Sequence, residues 1–537
     1  MKKISILIMI VILGYSCDLD RFPETTLSDI NYWNTESDFL QALNALYIDI
    51  PGWTRFDDDN MSDIQVGNAP NSISDGSYIP TSNFGPWNSA YETIRKANNI
   101  LEKLEGKTLS LSNEIEAEAR FFRAMGYFTL VKAYGDVPLI LETLDLGSEG
   151  LYAARTPRAE VITQIMADLD NAATELPVKS ELSLAGRLTS GAALAFKARV
   201  ALYEGTRAKY HGYDGANALI TVAKSAASKV MSSSEYSLYQ EKGNGYDNFN
   251  SLFLYDGEGS DETILAHEYG LSDDNKVQSW DNRNLEQGQA CATRKLVDLY
   301  LCTDGLPIGK SPLFQGWTNY ASEWMNRDPR LLATVLKRGD NLKGDNAPWT
   351  PTIYSSLSGI LYKKYYYAAD WPDGKASYID WMYLRYAEVL LIYAEATYEL
   401  NEHISDEDLN LSINKLRDRV EMPHLTNAFV SANGLDMKEE IRRERACELA
   451  MEGFRYDDIM RWKIAEDVLP ETVYGARIYA AEYINVDPSK LNLTNDSIII
   501  AQPAEKRSFD SKKNYLWPLP ISQLGLNENL TQNPYWE

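Results

Sequence analysis

The residues best suited to chemistry are few in this sequence, and they are scattered. Four histidines and four cysteines occur among 537 residues, and neither type lies at a metal-ligand or redox spacing. Motifs for nucleophilic hydrolysis, phosphate binding or dinucleotide binding are absent from the sequence. The 77 acidic residues cannot single out the two carboxylates, about 5–10 Å apart, that a glycosidase needs. The sequence therefore carries no catalytic signature, and it indicates no cofactor.

The densest acidic run is Asp57, Asp58 and Asp59, which Asn60 and Asp63 follow closely. Carboxylates this near to one another could hold calcium, but the run lacks the spacing of a calcium-binding loop. We interpret it as an ordinary acidic loop, with a calcium site as the alternative, and we predict no metal site.

A second charged cluster consists of Glu444, Glu448 and Glu452, which share one stripe of a predicted helix among several arginines. The arginines could form an anion clamp. Because the two kinds of charge alternate and would neutralise each other, ion pairs between helices are the favoured interpretation.

Aromatic residues beside planar polar groups are the best candidates for a binding site. The rings of Trp and Tyr offer flat apolar faces, and Asp, Asn, Gln and Arg offer planar hydrogen-bonding groups beside them. Four stretches combine the two kinds of residue, and they are 52–60, 82–91, 278–284 and 365–375. The predicted ligand-binding residues are Trp53, Asp58, Trp87, Trp280, Asn282 and Trp371.

The tryptophans differ in how well their surroundings predict exposure. Trp280 and Trp371 are flanked by Gly, Pro, Asp and Asn, and they are the best candidates for exposed residues. Trp87 opens a predicted helix and could instead pack between helices. Three other tryptophans are interpreted as core residues, namely Trp317, Trp324 and Trp462.

The overall charge limits the partners. The formal net charge is −25, so the surface repels phosphate backbones and nucleic-acid binding is not expected.

Three of the four cysteines, Cys291, Cys302 and Cys447, are interpreted as buried thiols, although pairing of Cys291 with Cys302 stays open.

The elements that must position these residues are mostly helices. Apolar stripes at helical spacing, ended by glycines, predict an N-terminal helical part over 39–231, which includes a long ligand loop at 51–86. Residues 232–380 form a loop-rich, aromatic-rich insertion with short strand-like runs. Helices return over 381–470, and the tail 471–537 is again loop-rich. Ala-rich stripes and successive helix pairs indicate tetratricopeptide-like units within one body, 39–537.

The N-terminus has the form of a secretory signal over residues 1–16. Lys2 and Lys3 precede an apolar run, 4–13, that is too short to span a membrane of roughly 30 Å. Cys17 stands in the cleavage position, which resembles a bacterial lipoprotein signal.

We therefore expect Cys17 to be the lipidated first residue of the mature chain, with a plain signal peptide or a core cysteine as alternatives. Residues 17–38 are then a tether. Asp18 and Asp20 resemble the acidic signals that send such lipoproteins to the cell surface.

Several motifs together resemble the SusD/RagB family of Bacteroidetes surface lipoproteins. They cover nearly the whole chain in the order expected for the family. The motifs are "EARFFRAMGYFTLVKAYGDVPLI" (118–140), "YLCTDGLPI" (300–308), "NRDPRL" (326–331), "LRYAEVLLIYAEA" (384–396), "RRERACELAMEGFRYDDIMRW" (442–462) and the ending "YLWPLPISQLGLNENLTQNPYW".

The resemblance implies a mainly α, SusD-like fold with four tetratricopeptide-like helix pairs and a ligand face built from loops. It also implies a lipid-anchored protein on the extracellular face of the outer membrane. Such a protein would bind an oligosaccharide without cleaving it and would act as the lid of a SusC-like TonB-dependent transporter. The alternatives are a RagB-like peptide-binding lid, a surface glycoside hydrolase and a scaffold for partner proteins.

Overall fold

Helices dominate the computed structural model. The structure describes residues 32–270, 281–342, 348–350, 353, 356–371, 377–483 and 486–536. The helices are α1 (Glu36–Tyr47), α2 (Ser72–Asp75), α3 (Trp87–Leu104), α4 (Ser112–Tyr134), α5 (Arg158–Glu175), α6 (Ser190–His211), α7 (Ala216–Ser232), α8 (Gly245–Leu252), α9 (Asp281–Glu286), α10 (Arg294–Leu299), α11 (Pro329–Thr334), α12 (Tyr386–Asn401), α13 (Asp406–Leu411), α14 (Ile413–Arg419), α15 (Asn427–Ala432), α16 (Met437–Glu448), α17 (Arg455–Arg461), α18 (Ala465–Val468) and α19 (Ile521–Leu526).

The long helices form an array in which neighbours along the chain pack together. The helix α3 packs on α4, and the series continues through α5, α6 and α7, against which α12 packs. Glycines permit two of these close approaches: a Cβ on Gly126 would lie 2.9 Å from Ile94, and one on Gly205 would lie 2.7 Å from Ile220. The prediction of a mainly helical, tetratricopeptide-like scaffold is confirmed.

Strands are short, as predicted, and lie mainly in the insertion and the tail. The strands are β1 (Gln65–Val66), β2 (Thr263–His267), β3 (Cys291–Ala292), β4 (Trp381–Arg385), β5 (Val473–Arg477) and β6 (Ile498–Gln502). They form three antiparallel pairs: β1 with β3, β2 with β4, and β5 with β6. The strand-like run 360–367 instead makes only isolated bridges, from Leu361 to Cys291 and from Tyr362 to Val335.

The described residues form two large hydrophobic cores, one mainly in the helical array and one mainly in the insertion, and a third, small cluster that includes Tyr456 and Leu469. The glutamates Glu444, Glu448 and Glu452 lie between elements of both large cores, and each is at most 3% exposed. Arg385 binds Glu448 at 2.8 Å and Glu452 at 2.7 Å, and Arg330 binds Glu444 at 2.5 Å. The interpretation as ion pairs between packed elements is confirmed.

The cysteines and the ends of the body complete this description. Cys291, Cys302 and Cys447 are free and buried, as expected. The helix α1 starts at Glu36, and Trp33 packs into the helical core, so the ordered body begins before the expected end of the tether at residue 38. Cys17 and the signal region lie outside the described residues. Across the described ranges, none of the helices is long and apolar enough to cross a membrane.

Candidate functional site

Trp53 lies in the core of the insertion rather than on the surface. Only 5% of it is exposed, and its Nε1 donates to the carbonyl of Ile379 at 3.3 Å. Its ring packs edge-on against Tyr365 and Trp381, with centroids 5.3 and 5.1 Å away. The expectation that Trp53 faces a ligand is therefore wrong, because the indole is enclosed by other rings.

Trp87 is also buried, at 5% exposure, and its ring packs on Tyr91 and Tyr134. It serves helix packing, which was the alternative for this residue. Asn282 is fully buried: its Nδ2 donates to the carbonyl of Tyr367 at 2.9 Å, and its Oδ1 accepts from the Tyr367 N–H at 3.3 Å. Asn282 thus positions Tyr367 and cannot itself reach a ligand.

The remaining predicted residues have three different positions. Trp371 is half-buried and follows a short turn of helix, Ala368–Asp370. Asp58 is partly exposed, and its Oδ2 accepts from Arg55 Nε at 2.7 Å. Trp280 lies outside the described residues.

Loop residues around Trp371 form a surface that we name the aromatic face. Its members are Tyr255, Tyr269, Tyr367, Asp370, Trp371 and Asp380. The rings of Tyr255 and Tyr367 meet edge-to-face at 5.2 Å, and Tyr367 is 37% exposed. Tyr255 Oη donates to Asp370 Oδ2 at 2.7 Å, which holds the acid beside Tyr255. Aromatic planes and a carboxylate acceptor are therefore presented side by side on loops.

The aromatic face continues through the segment just before β4. The Asp380 Oδ1 accepts from the Tyr269 N–H at 2.7 Å, and the Tyr269 hydroxyl accepts from the Trp53 N–H at 2.8 Å. The Tyr255 hydroxyl in turn accepts from the Tyr378 N–H at 3.1 Å. These bonds join four segments of the chain into one supported surface, which needs little ordering when a ligand binds.

An open groove of about 950 Å³ adjoins the aromatic face at Tyr269. Its walls include Tyr47, Asp49, His267 and Gly52. A Cβ on Gly52 would lie 2.4 Å from the Tyr269 hydroxyl, so only glycine permits this close contact. The volume lies within the range of ligand sites in proteins.

Carboxylates dominate the charge at this junction. Burial, with Glu258 and Glu268 nearby, raises the pKa of Asp380 to about 7. Burial also raises the pKa of Glu258, whose Oε1 accepts from the Asp380 N–H at 3.2 Å. The surface is therefore suited to a neutral ligand rich in hydroxyl donors.

The acidic run lies apart from this face. Asp59 accepts from the N–H groups of Gly453 and Arg455 at 3.1 and 2.9 Å and so caps α17. Together with the bond from Arg55 to Asp58, these contacts fit the interpretation as a structural acidic loop. Among the described residues, no three acidic, His or Cys side chains are grouped so that they could hold a metal ion.

Sequence reasoning missed parts of the site and misplaced two tryptophans, Trp53 and Trp317. Tyr367 and Asp370 lie within the predicted stretch 365–375, but Tyr269 and Asp380 carry no local signal. Trp317, interpreted as a core residue, is 45% exposed. Trp462 is a core residue as expected, with 2% exposure.

The helical array and the aromatic face on its loops place this chain in a class of binding proteins with a rigid helical scaffold. Within that class, the model of the SusD family matches residues 261–536. A second model, described as starch-binding associating with outer membrane, matches residues 52–202. Because the first match covers half of the chain, the chain belongs to the SusD family.

Individual relatives agree with this assignment. A SusD-like protein of Formosa agariphila, P38, is 25% identical over 504 residues, which cover 87% of this chain and 93% of the relative. A solved SusD-like carbohydrate-binding protein of Bacteroides fragilis is 25% identical, with a TM-score of 0.78 over 93% of this chain and 99% of that one. The surface glycan-binding protein A of Bacteroides fluxus shares the fold at 20% identity and a TM-score of 0.62, over 93% and 99% of the two chains.

Proposed function

We propose that this protein captures a glycan at the cell surface, on the aromatic face. The observation that carries the proposal is the set of tyrosine planes and Trp371 held beside Asp370 and Asp380 on bonded loops. Sugar rings stack on such planes, and their hydroxyls donate to such acids. The family membership and the carbohydrate-binding description of the B. fragilis relative support the same cargo class.

The proposal includes a place of action. The chain would be held by lipid on Cys17 at the extracellular face of the outer membrane. There it would act as the lid of a SusC-like TonB-dependent transporter and deliver the glycan to the barrel. The family description that mentions association with the outer membrane supports this location.

Alanine at Trp371 tests the glycan site. The change should weaken binding to the recognised glycan by about tenfold, because a stacking platform worth about 1.5 kcal/mol is lost. Since Trp371 is only half-buried, the melting temperature should change little. A glycan array identifies the best ligand, and calorimetry then gives its affinity for the wild type and for the variant.

The matched control is Trp317→Ala, which removes an exposed tryptophan outside the aromatic face. Its affinity should equal that of the wild type. Equal affinity of all three proteins would refute the assignment of the aromatic face, and enrichment from a peptide library in place of glycans would favour a peptide cargo.

A hydrolase is the alternative that the raised pKa of Asp380 recommends, because a protonated acid beside other carboxylates is what glycosidases use. We propose binding without cleavage. Pure protein incubated with the recognised glycan should release no new reducing ends. Sustained release that Asp380→Asn abolishes would instead establish an enzyme.

A further inference from the structure

A second pocket, which we name the inner pocket, lies beside the ligand loop and apart from the aromatic face. Its volume is about 320 Å³, near the lower end of the range for ligand pockets. Distant parts of the chain line it, with Arg55, Lys132, Tyr203, Tyr383, Phe454 and Trp517 among the lining residues. It shares only Pro51 with the groove described above.

Aromatic side chains form a large part of its walls. Tyr203 and Tyr383 come from the helical array and β4, Phe454 and Tyr456 from the start of α17, and Trp517 from the tail. These positions are fixed by contacts within the wall: Trp517 Nε1 donates to the Tyr456 hydroxyl at 3.0 Å. The Arg199 guanidinium lies over the rings of Tyr383 and Phe454, at 4.7 and 5.0 Å from their centroids, and the rings of Tyr456 and Trp517 add an apolar part to the wall.

Two ion pairs line the pocket, and so does Arg199, which is paired with Glu388 at 2.6 Å. Arg55 Nε binds Asp58 Oδ2 at 2.7 Å, and Lys132 Nζ binds Asp457 Oδ2. The side chains of the second pair are 23% and 25% exposed, so the pair is open to a ligand on one side. Each carboxylate has further lone pairs, and the lysine has further N–H donors.

The pairing of the charges selects the ligand. An ionic ligand would have to break a pair to find a counter-charge, whereas a neutral hydroxyl can donate to the acid and accept from the base without breaking it. A pyranose combines flat apolar faces with hydroxyl groups around its ring, and these features match the apolar walls and the paired charges of the pocket. A pocket of about 320 Å³ has room for one or two sugar rings.

We propose that the inner pocket binds a neutral sugar as a free mono- or disaccharide or as the end of a glycan chain. It is a site additional to the aromatic face, which would hold the chain along its length. The protein would then recognise both a chain surface and a chain end.

The test measures binding of neutral methyl glycosides and disaccharides by saturation-transfer NMR, with glucosamine and glucuronate for comparison. A neutral sugar should bind saturably and more tightly than either charged sugar. Asp457→Asn should weaken this binding by about tenfold, because one charge-assisted hydrogen bond is lost. Thr129→Phe, which fills the pocket from α4, should abolish the binding.

Lys490→Ala, on the exposed surface, is the control and should bind like the wild type. Circular dichroism melts confirm that each variant is folded, and Asp457→Asn keeps the test decisive if Thr129→Phe does not fold. No saturable binding of any neutral sugar, or binding that both pocket variants retain, would overturn the proposal. The aromatic face is tested separately. Polysaccharide binding that Trp371→Ala leaves undiminished would refute that site, whatever the inner pocket binds.

Discussion

At the scale of single residues, the surroundings of Asp380 shift its pKa and so make the stability of the protein depend on pH. Burial and two nearby glutamates raise its pKa to about 7, against an ordinary value near 4. The folded protein therefore holds this proton to a higher pH than the unfolded chain does. Between about pH 4 and 7, the stability that Asp380 contributes must fall as the pH rises.

Asp380→Asn should remove this pH-dependent cost and keep the bond from Oδ1 to the Tyr269 N–H. At pH 8 the variant should be more stable than the wild type by on the order of 1 kcal/mol, after discounting for solvent screening. This difference in the free energy of unfolding between the variant and the wild type should disappear toward pH 4. Urea unfolding at several pH values measures it, with Glu528→Gln as the exposed control. A gap that is constant across this range would contradict the assignment.

Residue type alone could not locate the aromatic face. Trp53 and Trp317 both follow glycine in loop-like sequence, yet one is 5% and the other 45% exposed. The difference arises because Tyr365 and Trp381, more than 300 positions away, enclose Trp53. Stretch 365–375 could be predicted from its composition, whereas the contribution of Tyr269 depends on long-range folding.

At the scale of elements, α16 connects the two cores through buried charge. Glu448 accepts from Arg419 at 2.6 Å, from Arg385 at 2.8 Å and from Arg330 at 3.1 Å. These guanidinium groups hold the pKa of Glu448 well below its usual range, against the opposing effect of burial. The stripe of glutamates could be predicted from sequence, but its partners on α14, β4 and α11 could not, because they come from distant segments.

Glu448→Gln should destabilise the protein by about 3–5 kcal/mol, because the variant leaves buried guanidinium groups without their counter-charge. Denaturant unfolding followed by circular dichroism measures the loss. Lys490→Ala breaks an exposed pair at 4.0 Å and should cost less than about 1 kcal/mol. Similar losses for the two variants would mean that the buried network does not join the cores.

At the scale of the whole molecule, the position of the body depends on its N-terminal connection. The described body begins at residue 32, so residues 17–31 would span at most about 50 Å if fully extended. A lipid on Cys17 would therefore keep both binding surfaces close to the membrane, which suits a lid.

The anchor makes a prediction for the protein in its native cell. Mass spectrometry of the mature protein should find Cys17 as the first residue, with the added mass of acyl chains. Several chains at about 0.8 kcal/mol per buried CH₂ hold a protein firmly to a bilayer, so the protein should remain with the membrane fraction at high salt. Cys17→Ser should release it, while glycan binding by the body is retained. An unacylated mature chain that begins at another residue would remove the anchor and, with it, the main physical reason for a lid that stays beside its barrel.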